Sequence, residues 1–242
     1  MPVEAIILVH DPAEDRRYRV PGSLLPALSE LQINWTIASF AGQDPPSMST
    51  LNDADMLIVL GSHESVYDSK VPWLRNELEF VSEATLSDIP VLGICFGAQL
   101  LATALGGEAM PSDVVERGYG SVDSVDEQLV PRGPWMQFHS DTFRLPPGAE
   151  LTAYNSSALQ AFTMGPNLGV QFHPEMNLDS FDAMTERWRA VGVDKKLAAD
   201  GIDIAALRSE IAEHSPESEK ACKRIVRTFC ERFVINSISQ LT

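Results

Sequence analysis

The segment G-I-C-F-G at residues 93–97 constrains the fold of this chain more than any other feature. It follows an apolar run at 89–92 and precedes a helix-like stretch at 99–105, which predicts a strand, a sharp turn and a helix with Cys95 at the turn. Glycines on both sides of the cysteine fit this geometry, because a strained turn leaves no room for a Cβ. The Cys95 thiol would stand at the carboxyl end of a central strand, where a helix N-terminus favours the attacking thiolate.

A purely structural cysteine is the competing interpretation, since cysteine is among the most buried residue types and the same pentapeptide can arise wherever a parallel strand meets a helix. The sequence G-V-Q-F-H-P-E at 169–175 favours catalysis. There a short strand delivers His173, and Pro174 biases that residue toward extended backbone, so that His173 and Glu175 lean to the same side. The pattern predicts a base with its own orienting carboxylate.

The sequence contains two further motifs: an apolar run that ends in G-S-H-E-S-V-Y-D at 61–68, and Q-F-H-S-D at 137–141. The four motifs together resemble the class I glutamine amidotransferase family, in the Cys, His, Glu order of that family. The resemblance is to stand-alone members, of the GMP synthase glutaminase-domain or γ-glutamyl amide hydrolase kind. Many members carry paired glycines in the oxyanion loop, and here the second is Ser62, which keeps the backbone donor but leaves the loop conformation open.

The resemblance implies a role for each motif. The site residues it implies are the catalytic Cys95, His173 and Glu175, the oxyanion-hole backbone of Gly61 and Phe96, and the substrate-binding Gln99 and loop His139, Ser140 and Asp141. The thiolate would attack the side-chain amide of a γ-glutamyl substrate and form a glutamyl thioester that water hydrolyses. From the residues alone, Asp141 could instead cap a turn beside Thr142.

These motifs do not specify the leaving group. The sequence shows no synthetase domain and has a helical tail after the H-P-E motif, as stand-alone members tend to have, which favours hydrolysis of a γ-glutamyl amide to glutamate and an amine, amino acid or ammonia. The alternative is a glutaminase that supplies ammonia to a synthetase partner. A non-catalytic regulatory or binding module is disfavoured, because Cys95, His173 and Glu175 are all present.

Composition excludes several classes of partner. The formal charge of -16 over 242 residues opposes binding to nucleic acid or to an anionic membrane surface. The apolar stretch near the N-terminus is too short for a signal peptide, and no segment is long enough to span a membrane, so a cytoplasmic location is expected. The three cysteines form no disulfide framework. The five histidines are scattered and the nucleotide-binding glycine motifs are absent, so no metal or cofactor is expected.

Apolar runs alternate with helical patterns in the first half of the chain. The predicted elements are strands at 5–9, 35–40, 56–60 and 91–94, and helices at 22–31 and 73–84. This order predicts an α/β fold, with a doubly wound, mostly parallel, flavodoxin-like sheet flanked by helices and a ligand site at the carboxyl ends of the strands. From 119 to 172, prolines break the pattern into short strands, which predicts a small antiparallel extension carrying the H-S-D loop and the H-P-E strand.

Beyond the H-P-E motif the pattern is helical. Helices are predicted at 178–190, 204–214 and 218–233, with Gly192, Gly201 and Pro216 between them. We predict one domain over 1–242, with a catalytic core at 1–177 and a helical C-terminal extension at 178–242. Helical spacing places Cys222 and Cys230 in the core, and His214 is expected at a solvated helix end. The oligomeric state is left open.

Overall fold

The computed structural model of the chain describes residues 2–235. Its strands are β1 (Glu4–Leu8), β2 (Asn34–Ala38), β3 (Met56–Val59), β4 (Val91–Ile94), β5 (Glu108–Gly120), β6 (Asp123–Ser124), β7 (Trp135–Arg144), β8 (Glu150–Tyr154), β9 (Leu159–Met164) and β10 (Asn167–Val170). Eight of them form the main sheet in the order β2-β1-β3-β4-β10-β9-β8-β6, and β5 and β7 form a separate antiparallel pair. The first five strands of the main sheet are parallel, and the remaining pairs are antiparallel.

Some helices lie between successive parallel strands, and others follow the last strand, β10. They are α1 (Glu14–Arg17), α2 (Leu24–Glu30), α3 (Leu74–Leu86), α4 (Phe96–Ala104), α5 (Leu178–Val191), α6 (Val193–Ala199) and α7 (Ile204–Phe229), with a 3-10 turn at Met48–Asp53 and a π-helical turn at Cys230–Val234. No helix within residues 2–235 is long and apolar enough to cross a bilayer.

Both faces of the main sheet are buried, which explains why its central strands are continuous apolar runs. Successive residues of β1 alternate between two cores: Ala5 and Ile7 pack with α2 and α7, while Ile6 and Leu8 pack with α3 and α4. A third apolar cluster joins α5, α6 and the first half of α7 to β7. This order confirms the predicted doubly wound, mostly parallel sheet with flanking helices, a small antiparallel element and a helical C-terminal segment.

Two details of the predicted antiparallel extension were wrong. The strand that leads to the H-P-E motif, β10, belongs to the main sheet and pairs in parallel with β4. The H-S-D segment is not a loop, because residues 139–141 lie inside β7 and pair with β5. The predicted short strands are confirmed for β6, β8, β9 and β10, but β7 is ten residues long, and proline spacing could not show which sheet each strand joins.

The C-terminal prediction also needs correction. Pro216 does not separate two helices, since it lies within the continuous helix α7, where the Ser215 hydroxyl donates to Ile211 O at 2.7 Å. His214 is therefore inside a helix rather than at its end, and its ring lies 4.3 Å from that of Tyr119. The core positions of Cys222 and Cys230 are confirmed, and burial raises the pKa of Cys230 to about 12. The end of the predicted domain, 236–242, lies outside the described residues, and the domain division stays a prediction.

The turn between β4 and α4 has the strained geometry that its glycines predict. Cys95 has φ 53° and ψ -109°, a conformation that residues with a Cβ rarely adopt. A Cβ on Gly93 would lie 2.5 Å from Gly97 O, and a Cβ on Gly97 would collide with Val59 O in the neighbouring strand. Helix α4 can therefore start immediately after the cysteine only because both flanking residues lack side chains.

Substituting Gly97→Ala should lower the free energy of unfolding by about 3 kcal/mol, at the upper end for overpacking, because the new methyl meets backbone that cannot rotate away. Gly120→Ala is the control, since its Cβ would lie 3.8 Å from Gln137 Cγ, an ordinary contact. Urea unfolding of both variants measures the difference. Equal stability of the two variants would contradict the packing argument.

Candidate active site

The central residues of the site lie just beyond the ends of three neighbouring strands. Gly61 follows β3, Cys95 follows β4 and His173 follows β10, and these strands are adjacent in the sheet. Parallel strands end at the same edge, so the three residues converge at the carboxyl ends, where ligands bind in open α/β sheets. A Cβ placed on Gly61 would stand 3.0 Å from His173 Cε1 and 3.7 Å from Cys95 Cβ, which shows how closely they approach.

Cys95, His173 and Glu175 form a buried cluster, with 5%, 6% and 5% of each residue exposed. His173 Nδ1 lies 2.6 Å from Glu175 Oε1. Burial alone lowers the pKa of His173, but the charges of Glu175 and Cys95, with hydrogen bonds to both, outweigh burial and raise this pKa well above its usual value. The arrangement favours the imidazolium form of His173.

Backbone contacts fix this pair from two sides. The His173 N–H donates to Met136 O in β7 at 2.9 Å, and Glu175 O accepts from Ser23 N at 2.9 Å. Directly afterwards, Asn177 caps α5 by accepting from Ser180 N at 3.0 Å. The H-P-E motif is thus held between β7, the start of α2 and a capped helix.

The two backbone groups expected in the oxyanion hole are free to act as donors. Among residues 2–235, neither Gly61 N nor Phe96 N donates to a protein acceptor. Phe96 is the first residue of α4, so its N–H points outward from a helix N-terminus. The carbonyl of Gly61 is in turn held by His10, whose Nδ1 lies 3.0 Å away.

His10 is buried between aromatic rings and a carboxylate. Its Nε2 lies 2.8 Å from Oε1 of Glu77, which is fully buried, and its ring lies 4.8 Å from that of Phe96. Burial lowers the pKa of His10, but the charge and hydrogen bond of Glu77 outweigh it, so that the pKa is raised. A protonated His10 donates from both nitrogens, to Gly61 O and to Glu77, and fixes the peptide that follows Gly61.

The rest of the oxyanion loop is tied to helix α5 by Arg187. This guanidinium donates to Glu64 Oε1 at 3.2 Å and to His63 Nδ1 at 3.4 Å, and it lies 3.9 Å from Asp11 Oδ1. Glu64 in turn accepts from the Ser62 hydroxyl. The Ser62 side chain, which replaces a glycine of the family pattern, therefore takes part in the network that holds the loop.

The expected substrate-binding side chains surround the same cavity, but several already have protein partners. Gln99 Nε2 donates to Gln171 Oε1 at 3.2 Å. His139 is buried, with Nδ1 3.1 Å from Asp141 O and Nε2 3.2 Å from Glu116 Oε2. Both ring nitrogens of His139 are thus used within the protein, and its side chain supports the wall of the cavity.

Asp141 joins the H-S-D segment to the oxyanion loop. Its two carboxylate oxygens accept from Ser65 Oγ at 2.5 Å and from Tyr67 Oη at 2.7 Å. Because Asp141 lies within a strand, it does not cap a turn at Thr142. The exposed Ser140 accepts from Arg117 Nη2 at 2.9 Å.

Three residues of the cavity wall were missed by the sequence analysis as functional candidates: His10, Arg117 and Arg187. His10 carried a usable signal, since it lies two residues beyond β1, another strand that ends at this edge. Arg117 and Arg187 carried none, because a single arginine in a strand or on an amphipathic helix usually faces solvent.

These residues line one cavity of about 440 Å³, within the roughly 300–1,000 Å³ of small-molecule sites. Apolar side chains from α5 and α6 form its outer wall. Within the described residues 2–235, no group of three or more His, Cys, Asp or Glu is placed to hold a metal ion. A thiol beside an imidazole and two free backbone N–H groups is an arrangement that can carry out acyl transfer.

A family model described as Glutamine amidotransferase class-I matches residues 18–191. The chain therefore belongs to the class I glutamine amidotransferase family. It is 32% identical over 164 residues to a γ-glutamyl-L-1-hydroxyisopropylamide hydrolase from a Pseudomonas species, a match that covers 60% of this chain and 55% of that protein. It is also 32% identical over 140 residues to a subunit of the glutamine-hydrolysing GMP synthase from Sulfolobus acidocaldarius, covering 54% of this chain and 72% of that protein. The chain thus spans about half the length of the hydrolase.

Solved structures share the fold. A glutamine amidotransferase from Thermotoga maritima matches with a TM-score of 0.80 at 22% identity, over 96% of this chain and 99% of that one. A glutamine amidotransferase from Methylobacillus flagellatus matches with a TM-score of 0.70 at 22% identity, over 93% of this chain and 94% of that one. At this identity the likeness extends to the fold alone.

In the variant Glu175→Gln, turnover should fall by about a hundredfold or more, because the imidazole loses its orienting charge. The same change should lower the pKa of His173, so that the imidazolium loses its proton at a lower pH than in the wild type. Steady-state kinetics and an NMR titration of the imidazole measure the two effects. Unchanged turnover would mean that another group orients His173.

Proposed function

We propose that this protein hydrolyses a γ-glutamyl amide without a partner, through a glutamyl thioester on Cys95, releasing glutamate and an amine or amino acid. The proposal is supported by the close approach of Gly61, Cys95 and His173 and by the 2.6 Å contact between His173 and Glu175. The activity for which the Pseudomonas relative is named, hydrolysis of a γ-glutamyl amide, is of the same class.

In the first half of the reaction, the Cys95 thiolate attacks the γ-carbonyl carbon of the substrate. The oxygen takes up the negative charge and accepts hydrogen bonds from Gly61 N and Phe96 N. The His173 imidazolium gives its proton to the amide nitrogen, the C–N bond breaks, and the amine leaves. Cys95 then carries the glutamyl group as a thioester.

In the second half, neutral His173 takes a proton from a water molecule as that water attacks the thioester. The tetrahedral intermediate expels the Cys95 thiolate, glutamate leaves, and His173 is again protonated beside Glu175. Glu175 holds the imidazole orientation and stabilises its charged form throughout. The carboxylate of Asp141, which lines the cavity, is suited to the α-amino group of the glutamyl moiety.

One observation supports hydrolysis without a partner protein: side chains of this chain itself hold the oxyanion loop in place. Arg187 of α5 contacts Glu64 and His63, and its side chain is only 13% exposed. His10 holds the carbonyl of Gly61 from the other side. A loop that is held on both sides by its own chain has no need of a synthetase to aim its donors.

A glutaminase that supplies ammonia to a synthetase is the second candidate. It is favoured by the similarity to the GMP synthase subunit from Sulfolobus acidocaldarius. In that case the isolated chain would use glutamine and would depend on a partner for its rate. The cytoplasmic location expected from the sequence remains a prediction in either case.

Steady-state kinetics on the purified chain should distinguish the two candidates. We expect at least one γ-glutamyl amine or γ-glutamyl amino acid to be hydrolysed at about 1–1,000 per second without any added protein. Glutamine should be the poorer substrate, because ammonia leaves the amine side of the cavity empty. Negligible activity on every amide, with glutaminase activity only in the presence of a co-purified synthetase, would overturn the proposal.

The nucleophile is checked in the same assay with Cys95→Ala and Cys95→Ser, which should remain folded and lose essentially all turnover. A glutamine-analogue electrophile should label the wild type once, at Cys95. The fully or nearly fully buried Cys222 and Cys230 serve as internal controls. An adduct on either of them would refute the assignment.

Arg187→Gln should reduce kcat by about tenfold or more while KM changes little, because the loop donors lose their alignment with the oxyanion rather than with the ground-state substrate. The matched control is Arg189→Gln, an exposed arginine on the same helix. Melting temperatures of both variants test whether the loss is general destabilisation. A loss of kcat that only follows a loss of stability would argue against a loop-positioning role.

A further inference from the structure

Arg117 of β5 is a half-buried guanidinium on the wall of the active-site cavity. Its Nη1 donates to Glu116 O and to His139 O, both at 2.7 Å, and its Nη2 donates to Ser140 Oγ at 2.9 Å. The guanidinium carbon lies 4.2 Å from the centre of the Phe138 ring. These contacts fix the position of the group, yet every acceptor among them is neutral.

The missing counter-ion distinguishes Arg117 from the other arginine of the cavity. Arg187 lies 3.2 Å from Glu64, whereas no carboxylate within residues 2–235 lies at ion-pair distance from Arg117. The chain has 34 acidic and 18 basic residues, so an unpaired arginine is not explained by a shortage of carboxylates. Burial lowers the pKa of Arg117, and the more distant charges of Cys95 and Asp200 oppose this effect only in part.

The surroundings of Arg117 differ from those of Asp141, which lines the same cavity. Phe138, beneath the guanidinium, stacks on Trp188 of α5 at 4.7 Å. Met184 and Leu197 continue this apolar wall, and the exposed Lys196 adds a second positive charge to the lining. Asp141, by contrast, lies beside Ser65 and Tyr67 of the oxyanion loop. The lining therefore offers a carboxylate suited to an ammonium group at Asp141, and separately a guanidinium, Arg117, that is bordered by apolar side chains.

We propose that Arg117 binds a carboxylate on the leaving group, so that the preferred substrates are γ-glutamyl amino acids with an apolar side chain rather than γ-glutamyl amines. This inference rests on the proposed amide hydrolysis. The leaving amino acid would place its carboxylate on Arg117 and its side chain on the wall that contains Trp188 and Leu197. The carboxylate of the bound substrate would form charge-assisted hydrogen bonds with Arg117. It would thus act as the counter-ion that the described side chains do not provide.

Two substrates that differ only in this carboxylate test the inference: γ-glutamyl-leucine and γ-glutamyl-3-methylbutylamide. The wild type should have the higher kcat/KM on γ-glutamyl-leucine. Arg117→Gln should lose about tenfold to hundredfold on that substrate, the range expected for a hydrogen bond to a charged group, and less than about threefold on the amide. Arg117→Lys should restore part of the loss, and Arg144→Gln, an exposed arginine in a strand of the same small sheet, should leave both substrates unaffected.

Equal losses on both substrates would overturn the inference, because Arg117 would then bind the glutamyl α-carboxylate or only support the fold. No loss on either substrate would also overturn it. Calorimetry with Cys95→Ala, with and without Arg117→Gln, measures binding of the same two compounds in the absence of turnover. If the wild type hydrolyses no γ-glutamyl amide, the proposed function fails, while a selective loss of γ-glutamyl-leucine binding would still support the role of Arg117.

Discussion

The close contact between the Cys95 turn and strand β3 is the constraint on which the rest of the site depends. Helix α4 approaches so near that Gly97 has no room for a methyl group against Val59 O, and Cys95 takes up a positive φ of 53°. This strain is tolerated because buried strands on both sides hold the turn. The thiol, the helix N-terminus and the Phe96 N–H are all fixed in position by this one packing contact.

Buried charge is arranged around that turn in two similar pairs. His173 with Glu175 and His10 with Glu77 each place a histidine against a carboxylate, and in both the attraction outweighs the cost of burial. One pair stands beside Cys95, and the other holds the carbonyl of Gly61. A buried pair of this kind is costly to break, because the remaining charge would lack a partner. The two histidine–carboxylate pairs therefore hold the side chains of the site in place and favour the protonated form of both histidines.

The sequence predicted the parts of the molecule that depend on local chemistry. The glycines around Cys95 and the Pro174 that follows His173 act over a few residues, and so the turn and the His173–Glu175 contact could be anticipated. Contacts between distant segments could not. Arg187 reaches the oxyanion loop from more than a hundred residues away, and Arg117 pairs with β7 in a sheet whose partners no local pattern specifies. Pro216 failed as a helix boundary because tertiary packing of α7 outweighs one missing hydrogen bond.

The order β3-β4-β10 has a consequence for how such proteins diverge. Gly61, Cys95 and His173 are spaced by the distance between hydrogen-bonded strands, which hardly varies among sheets. The apolar wall, by contrast, comes from α5 and α6, which lie outside the sheet. Substitutions in these helices can reshape the cavity without moving Gly61, Cys95 or His173. The shape of the cavity and the geometry of these three residues can thus change separately within one chain.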